Sequence, residues 1–226
     1  MTLSETGLHH NSNSHPRLAR GIITDRIFRI LLSHPEGTLT AYKISKLARA
    51  HQYQVSLLLR RFEDSNLVRG TSVTNYGALL NKWTRLGIKF QSQSYMLTNE
   101  MEILRNARLP YALTTYRAES LVNHYLFPTR TDLYISSKDV TAWHNLLVGE
   151  HALVGGGNVK LRWYDDDVFY NSFVVDGYRM VSMPQLIADL MKAGGVAVQA
   201  AEMMIKKHDE LLQLNELNRS DPFVDQ

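Results

Sequence analysis

The spacing of apolar residues in the first part of the chain predicts helices separated by short breaks. Apolar residues recur every three or four positions from Gly21 to Ser33, which predicts a helix that ends at the turn sequence His34-Pro35-Glu36-Gly37. The segment from Leu39 to Val68 predicts a helix-turn-helix, in which Thr40 caps a short first helix and the residues from Arg49 to Gln52 form the turn. On the helix from Gly21, one side is predicted to carry Ile22, Ile23, Ile27, Ile30 and Leu31, and the opposite side Asp25, Arg26 and Arg29.

The second helix of the helix-turn-helix has the clearest amphipathic pattern. Val55 is followed by Leu58, Leu59 and Phe62 at offsets of three, four and seven residues, which places these side chains on one buried stripe. The opposite side then carries Tyr53, Leu57, Arg60 and Arg61. On the first helix, the residues predicted to point inward are Tyr42, Ile44, Leu47 and Ala48.

The helix-turn-helix is followed by two short extended pieces, Leu67 to Gly70 and Thr71 to Val73, about a glycine turn. This order of helices and hairpin is typical of a winged helix, in which the hairpin is the wing. A further helix from Tyr76 to Arg85 and an alternating strand from Phe90 to Leu97 lead into a second part, and we place the boundary near residue 90. The inward residues of that further helix are predicted to be Leu79, Leu80 and Trp83.

The second part mixes predicted helices and strands, so the expected fold class is α+β: an N-terminal winged helix-turn-helix followed by a mixed α+β C-terminal domain. Thr98 to Ala107 fits a helix or an irregular connection. The predicted helices are Pro110 to His124, Val140 to Val148, Pro184 to Met191 and Val196 to Leu214, and the predicted strands are Asp132 to Ser136, Val159 to Trp163, Val168 to Phe173 and Tyr178 to Val181. The predicted domains are a disordered tail at 1–16, the winged-helix domain at 17–90, the C-terminal domain at 91–216 and a flexible tail at 217–226.

Charge divides the chain in the same place. Residues 1–90 contain 13 Lys and Arg against 5 Asp and Glu, whereas residues 91–226 contain 12 against 17. A basic front part favours a polyanion as partner, because neutralising phosphates releases counterions. Double-stranded DNA is therefore the expected partner of the front part. We expect one helix of this part to lie in the major groove and to contact the base edges there.

The residues expected to contact DNA lie on the second helix and on the wing. Arginine reaches phosphates or guanine, amides reach adenine, and an outward leucine can contact a thymine methyl group. The alternative is an ordinary solvated helix face that carries arginines. The predicted DNA-binding residues are Gln52, Tyr53, Gln54, Ser56, Leu57, Arg60, Arg61 and, on the wing, Arg69.

Other classes of protein are excluded or disfavoured by composition. The chain contains no cysteine, which excludes disulfides, thiol nucleophiles and thiolate metal sites. No run of about 18 apolar residues and no signal-peptide pattern occurs, so we expect a cytoplasmic protein without a membrane partner. The P-loop, the nucleophile elbow, the zinc-protease helix and the dinucleotide fingerprint are all missing, and we expect no catalytic residue, metal or cofactor.

Two alternatives remain open. Gly155-Gly156 followed by Asp165-Asp166-Asp167 resembles the phosphate turn and magnesium site of a nucleotidyltransferase, in which Asp165 and Asp167 would be the ligands. Such an enzyme would use the front part to find nucleic acid. However, Val159 to Trp163 between the glycines and the aspartates alternates like a strand, so a hairpin turn with three solvated carboxylates fits better. The second alternative is a regulator that senses a small ligand in a pocket lined by Tyr116, Arg117 and His124.

Three fragments of the chain share their order and spacing with a known family, namely TSVTNYGALLNKW, PYALTTYRAESLVNHYLFPTRTDLYIS and VSMPQLIADLMKAGGVAVQAAEMMI. Together they resemble the AbiEi-like transcriptional regulators, the antitoxins of type IV toxin-antitoxin systems, and the resemblance spans most of residues 20–207. It implies a winged helix that represses its own operon by binding operator DNA, and a C-terminal domain with antitoxin activity toward a cognate toxin. A homodimer or cooperative binding on DNA is expected, because one winged helix covers few base pairs. The chain departs from the family pattern at Thr115 and Glu119, where a glycine and an alanine are usual.

Overall fold

The computed structural model of the protein describes residues 20–220, so the tail predicted at 1–16 and the last six residues, 221–226, lie outside the described residues. The front part consists of four helices and one hairpin. Their bounds are Arg20–Ser33 for α1, Ala41–Leu47 for α2, Gln52–Glu63 for α3, Val68–Arg69 for β1, Ser72–Val73 for β2 and Tyr76–Thr84 for α4. The strands β1 and β2 are antiparallel, and Ser72 also forms a bridge with Glu36 in the turn after α1.

An aromatic core joins three of these helices. The ring of Phe28 on α1 lies 4.9 Å from that of Phe62 on α3 and 6.4 Å from that of Trp83 on α4, measured between ring centroids. Three residues of the predicted inward stripe of α3 are buried, Val55, Leu59 and Phe62, whereas Leu58 is half-buried. The predicted stripe of α4 is confirmed. Burial of these large side chains is the main source of stability for the helical part.

The polar side of α1 is also buried, which amphipathic spacing does not predict. Nη2 of Arg29 donates to Asp25 and to the hydroxyl of Tyr164, both at 2.6 Å, and the guanidinium also donates to Oε1 of Gln185. The indole of Trp83 donates to the other oxygen of Asp25 at 2.7 Å. Helix α1 is therefore enclosed, with its apolar side on the front core and its polar side on the back part of the chain.

The back part is built on a seven-stranded mixed sheet, and the α+β class is confirmed. The strand bounds are Gln91–Met96 for β3, Tyr111–Thr114 for β4, Thr131–Ile135 for β5, Leu153–Val154 for β6, Val159–Trp163 for β7, Phe173–Val175 for β8 and Tyr178–Met180 for β9. In order across the sheet the strands are β6, β3, β7, β5, β4, β9 and β8, in which β5 runs parallel to β7 and β4 parallel to β9. The helix bounds are Glu100–Asn106 for α5, Thr115–Val122 for α6, Val140–Gly149 for α7, Met183–Ala193 for α8 and Val196–Ser220 for α9.

Two predicted elements in the back part are wrong. The segment Pro110 to His124 is not one helix, because Tyr111–Thr114 forms a fully buried strand between β5 and β9 before α6 begins. Four consecutive buried residues show no alternation, so the strand cannot be distinguished from a helix start by spacing. The predicted strand Val168 to Phe173 is a 3₁₀ turn at Asp166–Phe169 followed by β8.

The last two helices pack closely against each other. Ala197, Ala200 and Ala201 are completely buried, and small side chains let the backbones of α8 and α9 approach each other. Helix α8 also packs against α1 and α4, so it connects the front helices to the sheet. Helix α9 continues to Ser220, beyond the predicted end at Leu214. Within residues 20–220, none of the helices has a stretch long and apolar enough to cross a membrane.

Candidate nucleic-acid interface

Helix α3 is anchored on one side and exposed on the other. Its first turn is fixed by Gln54, whose Oε1 accepts the backbone N–H of His51 at 3.2 Å. Val55 and Phe62 are fully buried beneath the helix, whereas Tyr53 is 75% exposed. The helix therefore presents a fixed outer surface that its own packing does not use.

The structure places most of the predicted DNA-binding residues on that outer surface. Gln52, Tyr53, Leu57, Arg60 and Arg61 are exposed. The two other predicted residues of the helix are half-buried, namely Gln54 and Ser56. The amide oxygen of Gln54 is engaged in capping, so the NH₂ group is the part of this side chain that can donate a hydrogen bond.

A groove lies between α1 and α3, beside this outer surface. Its volume is about 430 Å³. The residues that line it are Ile23, Thr24, Ile27, Tyr53, Gln54, Leu57, Leu58 and Arg61. Leu57 is 38% exposed, so its side chain lies partly in this groove and partly in solvent. Its contact with the groove partly explains why an apolar residue stands on the outer surface of α3.

The hairpin after α3 is tied to the helical part at both ends. Gly70 has a φ of +61°, which glycine adopts without strain, and its N–H donates to Oε1 of Glu63 at 2.6 Å. A Cβ on Gly37 would lie 2.9 Å from the backbone of Ser72, so the turn after α1 packs directly on the hairpin. Arg69, the predicted wing residue, is exposed at the hairpin tip.

A second basic surface on α2 was not among the predicted DNA-binding residues. Tyr42 is 55% exposed, so its assignment to the inward side is wrong, and Nζ of Lys46 lies 5.2 Å from the centre of its ring. Lys43, Lys46 and Arg49 are all exposed. Lys43 and Lys46 are three residues apart and lie on one side of α2, and Arg49 follows in the left-handed turn after the helix. The spacing of the two lysines is visible in the sequence and could have identified them.

The three aspartates at 165–167 are not the solvated hairpin turn that was predicted. The guanidinium of Arg26 donates to both oxygens of Asp165, at 2.8 and 2.9 Å, and its Nε also meets Asp167. Arg49 Nη2 lies 3.2 Å from the other oxygen of Asp167. Burial raises the pKa of Asp167, and the facing arginines act in the opposite direction. Because Asp165 and Asp167 face arginines, the geometry disfavours these carboxylates as magnesium ligands.

The two positions that depart from the AbiEi-like pattern are completely buried. Thr115 has a φ of +51°, in the left-handed region that favours glycine, and its hydroxyl donates to Asp132 at 3.0 Å. The carboxylate of Asp132 is also paired with Arg130 and Arg162. Glu119 accepts the backbone N–H of Leu126 at 2.7 Å and the amide of Asn123 at 2.9 Å, so it fixes the loop after α6.

The three residues proposed for a ligand pocket do not come together. Tyr116 lines an open groove of about 600 Å³, but Arg117 is paired with Glu100 at 3.0 Å and His124 does not line the groove. The other residues along it are Tyr125, Leu126, Phe127, Thr129, Arg130 and Val196. The prediction of a pocket lined by Tyr116, Arg117 and His124 is therefore corrected.

Among the side chains that the structure describes, no three His, Asp or Glu lie together as the ligands of a metal ion would. Comparison with known proteins gave no match to a family model, to a curated protein or to a solved structure.

Proposed function

We propose that this protein is a sequence-specific regulator of transcription that binds double-stranded DNA through α3 and represses its own operon. The observation that carries the proposal is the outer surface of α3. An exposed tyrosine, a half-exposed leucine and two exposed arginines, Arg60 and Arg61, lie opposite a buried stripe that fixes the helix in the front core. These side-chain types contact base edges and phosphates when a helix lies in the major groove.

The surroundings of α3 support the same proposal. Helix α2 precedes it through a short turn and carries Lys43 and Lys46, which suits a first helix that crosses the DNA backbone. The hairpin that follows carries Arg69 at its tip, where a wing would meet a neighbouring phosphate or the minor groove. The order of three helices and a hairpin supports a winged helix.

Footprinting of the purified protein on the DNA upstream of its own coding region tests this proposal. We expect protection of short sites that occur in pairs. One winged helix covers few base pairs, so two copies of the protein are needed to specify an operator. Sedimentation with and without that DNA distinguishes a homodimer in solution from cooperative assembly on DNA. Uniform weak protection along the fragment would contradict a site-specific regulator, and occupancy of a full site by one copy would contradict the pairing.

The resemblance to AbiEi-like antitoxins also leads us to propose a toxin as protein partner of the back part. The side of α9 that carries Gln199, Lys206, Lys207 and Glu210 is exposed and is the candidate contact surface. Co-expression of the full chain with each neighbouring gene product tests this: relief of growth arrest is expected for one of them. If no neighbouring product is toxic, or if none is relieved, the antitoxin part of the proposal fails while DNA binding is unaffected.

A further inference from the structure

Arg49 lies in the turn between α2 and α3 and has an unusual backbone conformation. Its backbone is left-handed, with a φ of +51°, and its N–H donates to the carbonyl of Lys46 at 3.2 Å. The side chain is 67% exposed, and the residue follows α2, which carries the exposed Lys43 and Lys46. The turn leads directly into the first turn of α3, the end of a recognition helix that approaches DNA most closely in helix-turn-helix proteins.

The ion pair between Arg49 and Asp167 is asymmetric. The carboxylate of Asp167 is mostly buried, with 14% of its side chain exposed, and it also contacts Nε of Arg26. Arg26 is in turn held by Asp165 and by the carbonyl of Ala48 at 3.2 Å. If Arg49 moves away, Asp167 keeps a buried cationic partner, so this exchange does not leave a buried charge unpaired.

We propose that Arg49 is a further phosphate-binding residue of the DNA interface, and that Asp167 holds its guanidinium until a DNA phosphate replaces the carboxylate. This inference rests on the proposed function. A phosphate oxygen and a carboxylate oxygen are equivalent acceptors for a guanidinium, and Arg49 remains paired before and after the exchange. Asp167 therefore competes with DNA for Arg49 and lowers the affinity for every DNA sequence by about the same factor.

A purely structural role for the pair has a different signature. If Arg49 and Asp167 only fasten the turn to the back part, loss of either charge loosens the turn and weakens DNA binding. Competition has the opposite sign at Asp167, because removal of that carboxylate frees Arg49 for DNA. The sign of the change at Asp167 therefore separates the two roles.

The test measures binding of the full chain to fluorescein-labelled duplex DNA of mixed sequence, at several salt concentrations, by fluorescence anisotropy. The variants are Asp167→Asn, Arg49→Gln and the double variant. Asp176→Asn is the matched control, since it removes one exposed carboxylate from the back part and asparagine tolerates the left-handed φ of +50° at that position. Thermal unfolding of each variant checks that the fold is retained.

We expect Asp167→Asn to bind the duplex about two- to fivefold more tightly than wild type, the range that loss of a partly exposed ion pair allows. Arg49→Gln should bind more weakly, with a salt slope that is less steep by about 0.9. In the Arg49→Gln background, the change at Asp167 should have no further effect. Asp176→Asn should bind like wild type.

Unchanged or weaker binding by Asp167→Asn overturns the inference, as does a gain that persists in the double variant or that Asp176→Asn reproduces. An unchanged salt slope for Arg49→Gln overturns it as well, and this variant carries the test if Asp167→Asn does not fold. These results leave the proposed function intact provided that wild type binds duplex DNA. Failure of wild type itself to bind duplex DNA at low salt overturns the proposed function instead.

Discussion

Arg60 and Arg61 are exposed in the last turn of α3, where each has two physical roles open to it. Cationic side chains near a helix C-terminus interact favourably with the helix dipole, which stabilises the helix without any ligand. The same guanidiniums, turned toward DNA, would contact phosphates or bind guanine through two hydrogen bonds. Stability measurements and binding measurements on the same variants separate these roles.

We expect Arg60→Ala and Arg61→Ala each to weaken binding to the operator while the protein remains folded. A base contact should reduce discrimination between sequences by about 1 to 3 kcal/mol, and a phosphate contact should weaken binding to all sequences and lower the salt slope by about 1. Filter binding at two salt concentrations measures both quantities. Arg108→Ala, which removes an exposed arginine from the back part, is the control. Parent-like binding by both variants would mean that α3 does not read DNA.

Buried polar residues form a connected set that amphipathic spacing did not reveal. Asp189 accepts hydrogen bonds from Thr114 at 2.6 Å, Gln185 at 2.9 Å and Tyr134 at 3.3 Å. Gln185 also accepts from Arg29, which extends the set into α1. Helical spacing identifies which residues share a side but not which distant residues face them, so burial of these polar groups could not be predicted.

Tyr134 in this set should make stability sensitive to alkaline pH. Burial, with a smaller contribution from the carboxylate of Asp189, raises its pKa well above the ordinary value of 10.0. The unfolded chain releases this proton as the pH rises past about 10 while the folded chain keeps it, so stability falls with rising pH in that range. The contribution of one such tyrosine is about 1.4 kcal/mol for each pH unit.

The measurement is urea unfolding between about pH 9 and pH 11 for wild type and Tyr134→Phe. We expect Tyr134→Phe to be less stable than wild type at neutral pH, because it loses a buried hydrogen bond, and to lose stability less steeply as the pH rises. Equal pH slopes for the two proteins would show that Tyr134 ionises normally in the folded state.

At the scale of elements, the regular helices and strand β7 follow from spacing, whereas β4 does not. Strand β7 is Val159–Trp163, as its alternation predicts, and α8 and α9 are two separate helices as predicted, with Gly194 and Gly195 between them. Between β4 and α6 the chain turns at Thr115 in a left-handed conformation without the glycine that marks such turns. Because no glycine or proline separates the buried strand from the helix that follows, the spacing predicts one continuous helix. This explains the wrong prediction of a helix from Pro110 to His124.

Helix α3 provides a matched pair of substitutions on its two sides. Phe62→Ala removes a fully buried ring from the aromatic core and should lower the free energy of unfolding by about 3 to 5 kcal/mol. Leu57→Ala removes a side chain that is 38% exposed, so it should change stability much less and should weaken binding to sites with a thymine at the contacted position. Urea unfolding and operator binding measure the two effects. If Leu57→Ala destabilises as much as Phe62→Ala, the groove between α1 and α3, and not DNA, accounts for this leucine.

At the scale of the whole molecule, the net charge of the chain changes sign near residue 90, but the parts before and after this residue pack against each other. Helices α1 and α4 both pack against α8. Arg29 is completely buried between Asp25 on its own helix and Gln185 on α8, and Arg26 is paired with Asp165 beyond β7. The basic front part and the acidic back part therefore share a polar interface. If the proposed function holds, this interface is a route by which a partner of the back part would influence the front helices.

This interface predicts that residues 17–90 do not fold as the full chain does when they are separated from the rest. Cutting the chain after 90 removes both charged partners of Arg26, Asp165 and Asp167. It also leaves the guanidinium of Arg29 without Gln185 and Tyr164 and exposes surfaces of α1 and α4 that α8 covers. Loss of buried charged partners typically destabilises by about 3 to 5 kcal/mol, which is a large share of the stability of a domain. We expect the fragment to unfold at lower urea concentration, with a broader transition, and to bind DNA more weakly than the full chain.

Circular dichroism in urea, with operator binding by the same samples, checks this prediction. Mixing fragment 17–90 with fragment 91–226 is the control, because reassembly through α8 should restore a cooperative transition and part of the DNA affinity. A fragment 17–90 that alone unfolds cooperatively at the urea midpoint of the full chain would show that the front part is autonomous. In that case the buried contacts of Arg29 would add nothing to its stability, and coupling between a partner of the back part and DNA would have to act by another route.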